Sequence, residues 1–134
     1  MIGVVICTHD NLAQALLDTA SMIVGEFPQA AAVSVRRGDP MDDVLARLRA
    51  AIAEVDAGDG ILLLCDMFGG TPSNLSLSFL NEVEVVTGVN LPMLLKLYTS
   101  REGDVAAVAA AARDHARENI LVAGELLRAR GKGT

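Results

Sequence analysis

Two short, unbroken apolar runs decide most of what this chain can fold into. Ile2-Gly3-Val4-Val5-Ile6-Cys7-Thr8 stands at the start, and Ile61-Leu62-Leu63-Leu64-Cys65-Asp66 near the middle. Each has the length of a strand, and neither alternates with polar residues. Such runs predict strands covered on both faces.

The stretches between and after them carry helical or turn signals. Residues 11–24 place Leu12, Leu16, Ala20, Ile23 and Val24 at helical spacing, and Gly25 is a natural stop. Residues 31–36 read as a second, weaker strand. Asp39 and Pro40 read as the cap and first residue of a helix, with Asp42 and Asp43 complementing its dipole. Val44, Leu45, Leu48, Ile52 and Val55 form its expected buried face. Asp59-Gly60 then turns the chain into the strong strand. Gly69-Gly70 breaks that strand, and Thr71-Pro72 resembles another cap and first-turn proline. Residues 72–80 alternate like a strand at Leu75, Leu77 and Phe79, yet the Thr-Pro start and the need for a crossover favour a helix. Residues 84–88 read as a fourth strand, and Pro92 opens a helix to about residue 100. From Asp104 to about residue 118 runs an alanine-rich helix with Val105, Val108, Ala109, Ala112 and Ala116 inward. Residues 120–123 suit a short strand or a helical continuation, and 128–134 a frayed basic tail. Strands that alternate with helices predict an α/β domain, a parallel sheet with helices on both faces. No repeat or linker divides residues 1–134.

Composition narrows the function. Seventeen acidic residues against 11 basic give a net charge of −6, which argues against nucleic acid or an anionic membrane surface as the main partner. No apolar run approaches the roughly 20 residues of a membrane span, so direct membrane insertion is not expected. The start lacks the basic segment and cleavage site of a signal peptide. Cys7 and Cys65 are the only cysteines, both in apolar runs, and read as reduced thiols of a cytoplasmic protein. With two histidines, no metal site or cofactor is expected.

Polar residues gather where the two apolar runs end. The first delivers Thr8, His9 and Asp10; the other delivers Asp66 and then Met67-Phe68-Gly69-Gly70-Thr71-Pro72-Ser73-Asn74. Sites in open α/β sheets form at strand carboxyl ends where strand order reverses. Neighbouring first and third strands give an order beginning 2-1-3, with the fourth beside the third, and a crevice holding His9 and Asp66. A carboxylate that accepts one ring N–H fixes the tautomer and leaves the other nitrogen as a nucleophile. Phosphoryl oxygens on that nitrogen need donors. Asp10 and Asn11 at the first helix start, the Gly69-Gly70 backbone and the Thr71 hydroxyl are the candidates. His115, beside the apolar stripe of the long helix, reads as structural or surface.

Three segments in this order resemble a known family. Gly3-Val-Val-Ile-Cys-Thr-His9, Asp66-Met-Phe-Gly-Gly-Thr-Pro-Ser-Asn74 and Val86-Thr-Gly-Val-Asn-Leu-Pro-Met-Leu94 are similar to the IIA component of the mannose-family phosphoenolpyruvate-dependent sugar phosphotransferase system (PTS). The resemblance runs to about residue 124. It implies a phosphoryl carrier in which His9 accepts the group through Nε2 from the phosphocarrier HPr and passes it to a IIB protein. Through IIB it implies IIC and IID membrane components. Asp66 matches the carboxylate on Nδ1, and Thr71 stands where the motif usually has a serine. The implied fold is a doubly wound sheet of order 2-1-3-4 with an antiparallel edge strand exchanged in a homodimer, assigned here to residues 119–123. Many members continue into a IIB domain; a stand-alone chain implies a separate IIB.

Docking of such partners calls for a flat, partly apolar surface, with Met67, Phe68 and Met93 as candidates. Other readings compete. A regulatory phosphoprotein would be labelled on His9 without feeding transport. The phosphotransfer subunit of dihydroxyacetone kinase shares the fold type and histidine, although the Gly-Gly-Thr-Pro and Val-Asn-Leu-Pro segments favour the mannose type. A receiver-like module would be phosphorylated on Asp66, with Thr87 and Lys96 in support, but its first strand lacks an acidic pair because only Asp10 is present.

Overall fold

The computed structural model describes residues 1–132. Elements follow in the order β1 (Gly3–His9), α1 (Leu12–Val24), β2 (Ala30–Val35), α2 (Met41–Val55), β3 (Ile61–Cys65), α3 (Thr71–Leu77), β4 (Glu84–Thr87), α4 (Leu91–Thr99), α5 (Val105–Glu118) and α6 (Ala123–Lys132). The four strands form one parallel sheet of order β2-β1-β3-β4. The fold is a doubly wound α/β sheet of order 2-1-3-4. In register, His9 pairs with Val35 on one side of β1 and Cys7 with Cys65 on the other.

The alternation of β1 assigns its side chains to two cores. Val4 and Ile6 point to a layer with α1, α4 and α5, built from Ala13, Ala20, Met93, Leu94, Leu97, Val108 and Ala112. Val5 and Cys7 point to the α2 and α3 side, among Val44, Leu48, Ile52, Val55, Leu63 and Phe79. Both faces of β1 and β3 are buried, which is why their runs are apolar throughout. Each fully buried Leu or Ile contributes about 1.5–3 kcal/mol relative to an exposed one. The same parity sends buried Thr8 toward α1 and His9 toward α3.

Several expectations need correction. On α1, Leu12 and Ile23 are exposed; the inward face is Ala13 and Ala20, with Leu16, Leu17 and Val24 packed beside them. Pro40, not Asp39, is the N-cap of α2, because the Asp39 carboxylate is held by the Arg36 N–H and the Arg47 guanidinium, each at 2.9 Å. Thr71 likewise lies inside α3, with Gly70 as the cap. Residues 120–122 pair with no strand of the sheet and form the connection between α5 and α6, which begins at Ala123. The segment 128–132 of the expected frayed tail belongs to α6. Residues 133 and 134 lie outside the described residues. No helix of the described residues is long and apolar enough to cross a membrane.

Candidate functional site

The site sits where β1 and β3 end side by side. Thr8 closes the first strand by capping the next helix: its buried Oγ1 accepts the Ala13 N–H at 2.7 Å. This takes up one of the donors that a helix start leaves unpaired. The sequence reading delivered Thr8 to this end but missed the cap; a threonine five residues before the first buried helical residue was the available signal. Asp10 then adopts a left-handed φ of 50°, turning the chain into α1 directly behind His9. Aspartate tolerates that conformation better than most residues.

His9 is gripped twice by one carboxylate. Asp66 Oδ2 accepts the His9 backbone N–H at 3.1 Å and lies 2.8 Å from ring Nδ1. Its other oxygen accepts the Met67 N–H at 3.0 Å. Partial burial pushes the Asp66 carboxyl up, but the hydrogen bonds from the His9 ring and backbone outweigh it and hold the group below the ordinary carboxylate value. An ionised carboxylate only accepts, so Nδ1 carries a proton, and in the neutral ring the lone pair is on Nε2. The His9 side chain is 48 % exposed.

The β3–α3 loop forms the floor. Gly69 turns at φ 94°, in the left-handed region suited to glycine. Its N–H points inward to Ser73 Oγ at 3.4 Å. Gly70 packs against the imidazole so closely that a Cβ there would meet His9 Cε1 at 2.7 Å and Nε2 at 3.1 Å. Thr71 and His9 share an open cleft of about 620 Å³ with Asp10, Val35, Arg36, Arg37, Gly38, Asp39 and Met41.

Other expected site residues take different tasks. The Asp10 N–H donates to the Val35 carbonyl at 2.9 Å, so it is turned away from any ligand in the cleft. The Asp10 carboxylate lies 3.5 Å from Arg36 Nε, and Asn11 Oδ1 accepts from Arg36 Nη2. Arg36 and Arg37 went unnoticed in the sequence, because only the register of β2 beside β1 brings them to His9. Met67 and Phe68 are 53 % and 71 % exposed, as a docking surface requires. Met93 is not part of that surface. At 1 % exposure it is core, because its N–H caps onto Asn90 at 3.0 Å and its side chain turns under the sheet. Lys96 lines a separate hollow with Thr99, Ser100, Glu102 and Asp104, which removes the cation a receiver-like site on Asp66 needs. His115 sits in the last turn of α5, where its carbonyl accepts from Asn119 Nδ2 at 2.8 Å. No metal-ligating cluster occurs among the described residues.

Residues 3–115 match the model of the EIIA-man family, described as PTS system fructose IIA component. The chain belongs to this family. Among EIIA relatives, the fructose-specific EIIA component of Bacillus subtilis (strain 168) is 34% identical over 105 residues, covering 76% of this chain and 72% of that protein. The mannose-specific EIIAB component of Escherichia coli (strain K12) is 33% identical over 106 residues, 77% of this chain. The match covers only 33% of that longer protein. The mannose/sorbose specific IIA subunit from Enterococcus faecalis superposes with a TM-score of 0.81 at 30% identity, covering 90% of this chain and 93% of its own. EIIA from Streptococcus agalactiae gives a TM-score of 0.84 at 25% identity, over 93% of this chain and 99% of its own.

Proposed function

We propose that this EIIA protein is a phosphoryl carrier that works through His9. The observation that carries the reading is the 2.8 Å bond from Nδ1 to Asp66, which leaves Nε2 as the available nitrogen of a ring that lines the cleft. The Nε2 lone pair attacks the phosphorus of a phosphohistidine on HPr. The phosphorus–nitrogen bond of the donor breaks, and its electron pair returns to the donor ring. The Nδ1 proton stays where it is, and Asp66 offsets the positive charge that the substituted imidazole gains. A second transfer, to a IIB protein, reverses these roles. Catalysis of this kind is positioning and charge stabilisation, so a pre-oriented ring is the main requirement.

Gly70, which leaves room at the ring, and Thr71, in the same cleft, are the proposed neighbours of the phosphoryl oxygens. Met67 and Phe68 provide the apolar rim on which HPr and IIB dock in turn. IIC and IID would be reached only through IIB, and the carrier would act in the cytoplasm. The relatives' names carry mannose, fructose and sorbose. That variety suits a site that handles the phosphoryl group alone.

Incubation with phosphoenolpyruvate, enzyme I and HPr should place one phosphoryl group on His9, labile to acid and stable to base. A His9→Ala protein that still accepts label refutes the reading, and label that is lost in base or hydroxylamine moves it to Asp66. Label that no IIB accepts would favour a purely regulatory protein.

A second proposal concerns assembly. Strand β4 closes the sheet with an unpaired edge, and Glu84–Thr87 line a groove with Ala106, Ala109, Ala110 and Arg113 of α5. Ile120, Leu121 and Val122 are exposed and outside any helix. An exposed apolar segment outside the sheet and, among the described residues, a β4 edge with no neighbouring strand fit a homodimer in which each copy lends residues 119–123 to the other's β4. Light scattering should give a dimer, and Leu121→Asp should give a monomer. A parent protein that is monomeric at high concentration refutes the exchange.

A further inference from the structure

We infer that Arg36 binds the phosphoryl group carried by His9, and that Asp10 and Asn11 serve to hold its guanidinium in reach. The inference rests on His9 being the carrier residue. Its first support is register. Strands β1 and β2 run parallel with His9 opposite Val35, so Arg36 leaves β2 beside the turn that follows His9. The Asp10 N–H to Val35 bond at 2.9 Å locks the two strand ends together.

The second support is the loop that carries Arg36. Its backbone N–H donates to Asp39 Oδ2 at 2.9 Å, and the same oxygen accepts from Arg47 Nη2 at 2.9 Å. Gly38 turns at φ 86° within the loop. The start of the loop is therefore held in place while the side chain of Arg36 remains more than half exposed. Its guanidinium lies across the start of α1, donating to Asn11 Oδ1 and sitting 3.5 Å from Asp10.

The third support is charge. His9 and Thr71 share one cleft with Arg36 and Arg37, in a chain whose net charge is −6. An exposed ion pair at 3.5 Å is a weak hold. A phosphoryl group with a charge of about −1.5 to −2 and three acceptor oxygens is a stronger partner, and arginine engages phosphate through two parallel N–H bonds. The guanidinium exchanges the Asp10 carboxylate for the phosphoryl oxygens when the group arrives. It keeps its protons throughout, and no covalent bond to it forms or breaks.

The test uses the intact protein with Arg36→Gln and Arg36→Lys, and Lys96→Gln, in its separate hollow, as a distant charge control. Two donors are compared: phospho-HPr, and phosphoramidate, which needs no protein docking. Arg36→Gln should slow phosphorylation of His9 by both donors about ten- to a hundredfold. It should also raise the pH at which the ³¹P resonance of phospho-His9 titrates, because a nearby cation favours the dianion. Arg36→Lys should restore part of both effects, and Lys96→Gln should match the parent. A rate within twofold of the parent with an unmoved ³¹P titration overturns the inference. Slowing with phospho-HPr alone also overturns it, because Arg36 would then contact the protein partner and not the phosphoryl group. A folded parent that neither donor labels on His9 refutes the carrier reading itself, and this inference falls with it.

Discussion

Replacing Gly70 by Ala tests whether the placement of the His9 ring matters more than its presence. The backbone at Gly70 has φ −89° and ψ 173°, an extended conformation open to any residue, so the substitution forces no turn. The added Cβ would lie 2.7 Å from His9 Cε1, about 1 Å inside ordinary carbon–carbon contact. The imidazole is the free end of a half-exposed side chain and will yield. Moving it by about 1 Å costs much of the 2.8 Å bond to Asp66. That loss, with a poorer helix cap, amounts to roughly 1–2 kcal/mol, or about 4–8 °C in Tm. Phosphoryl transfer should fall far more, by about a hundredfold, because a displacement of this size misaligns an in-line reaction. Single-turnover transfer from phospho-HPr gives the rate, and long-range ¹H–¹⁵N spectra of the ring report whether Nδ1 keeps its proton and partner. A Gly70→Ala protein that transfers at the parental rate with an unchanged ring spectrum would refute the reasoning.

Three further predictions address the frame beneath the site. Gly3→Ala puts a Cβ 2.4 Å from the Val55 carbonyl oxygen, a backbone clash between β1 and the end of α2, and should cost about 2–3 kcal/mol in a urea titration. Thr8→Val keeps the shape but strips the Ala13 N–H of its buried acceptor, for a loss of about 1–2 kcal/mol; an unchanged melting curve would remove Thr8 as a cap. The third concerns alkaline pH. Burial pushes the Cys7 thiol from 9.0 up to about 12, so the folded state holds its proton more tightly than the unfolded state. The stability this thiol contributes is complete below pH 9.0 and is lost as pH rises toward about 12. The loss approaches about 1.4 kcal/mol per pH unit within that window. Denaturant midpoints at pH 8 and above pH 10 should therefore fall less steeply in Cys7→Ala than in the parent, and equal slopes would contradict the assignment.

The parts of the fold legible in the sequence are those set by local pattern. Runs without polar interruption mark β1 and β3 because both faces of each are covered, and the chain then has few ways to place its crossovers. His9 and Asp66 were legible because each ends such a run. Helix starts were misplaced by one residue where a side chain that looked like a cap had another use, as Asp39 does in holding Arg36 and Arg47. Residues 120–122 have strand composition, but strand formation needs an edge, and composition does not say whether one is within reach. Met93 reads in the sequence as a loop residue fit for a surface, yet α4 turns that position under the sheet. Arg36 escaped notice for the most general reason. Its closeness to His9 is a matter of register between two strands, and register is a property of the assembled sheet.

The double grip of Asp66 on His9 joins residues 57 positions apart in the chain, at the ends of adjacent strands. Neither bond survives if β3 leaves the sheet. A chain with a misassembled centre still contains His9, but its ring is loose and its backbone N–H is free to turn. On the proposed reading, competence for phosphorylation is thereby tied to completed folding: a phosphoryl group on His9 would certify that the sheet beneath it is whole.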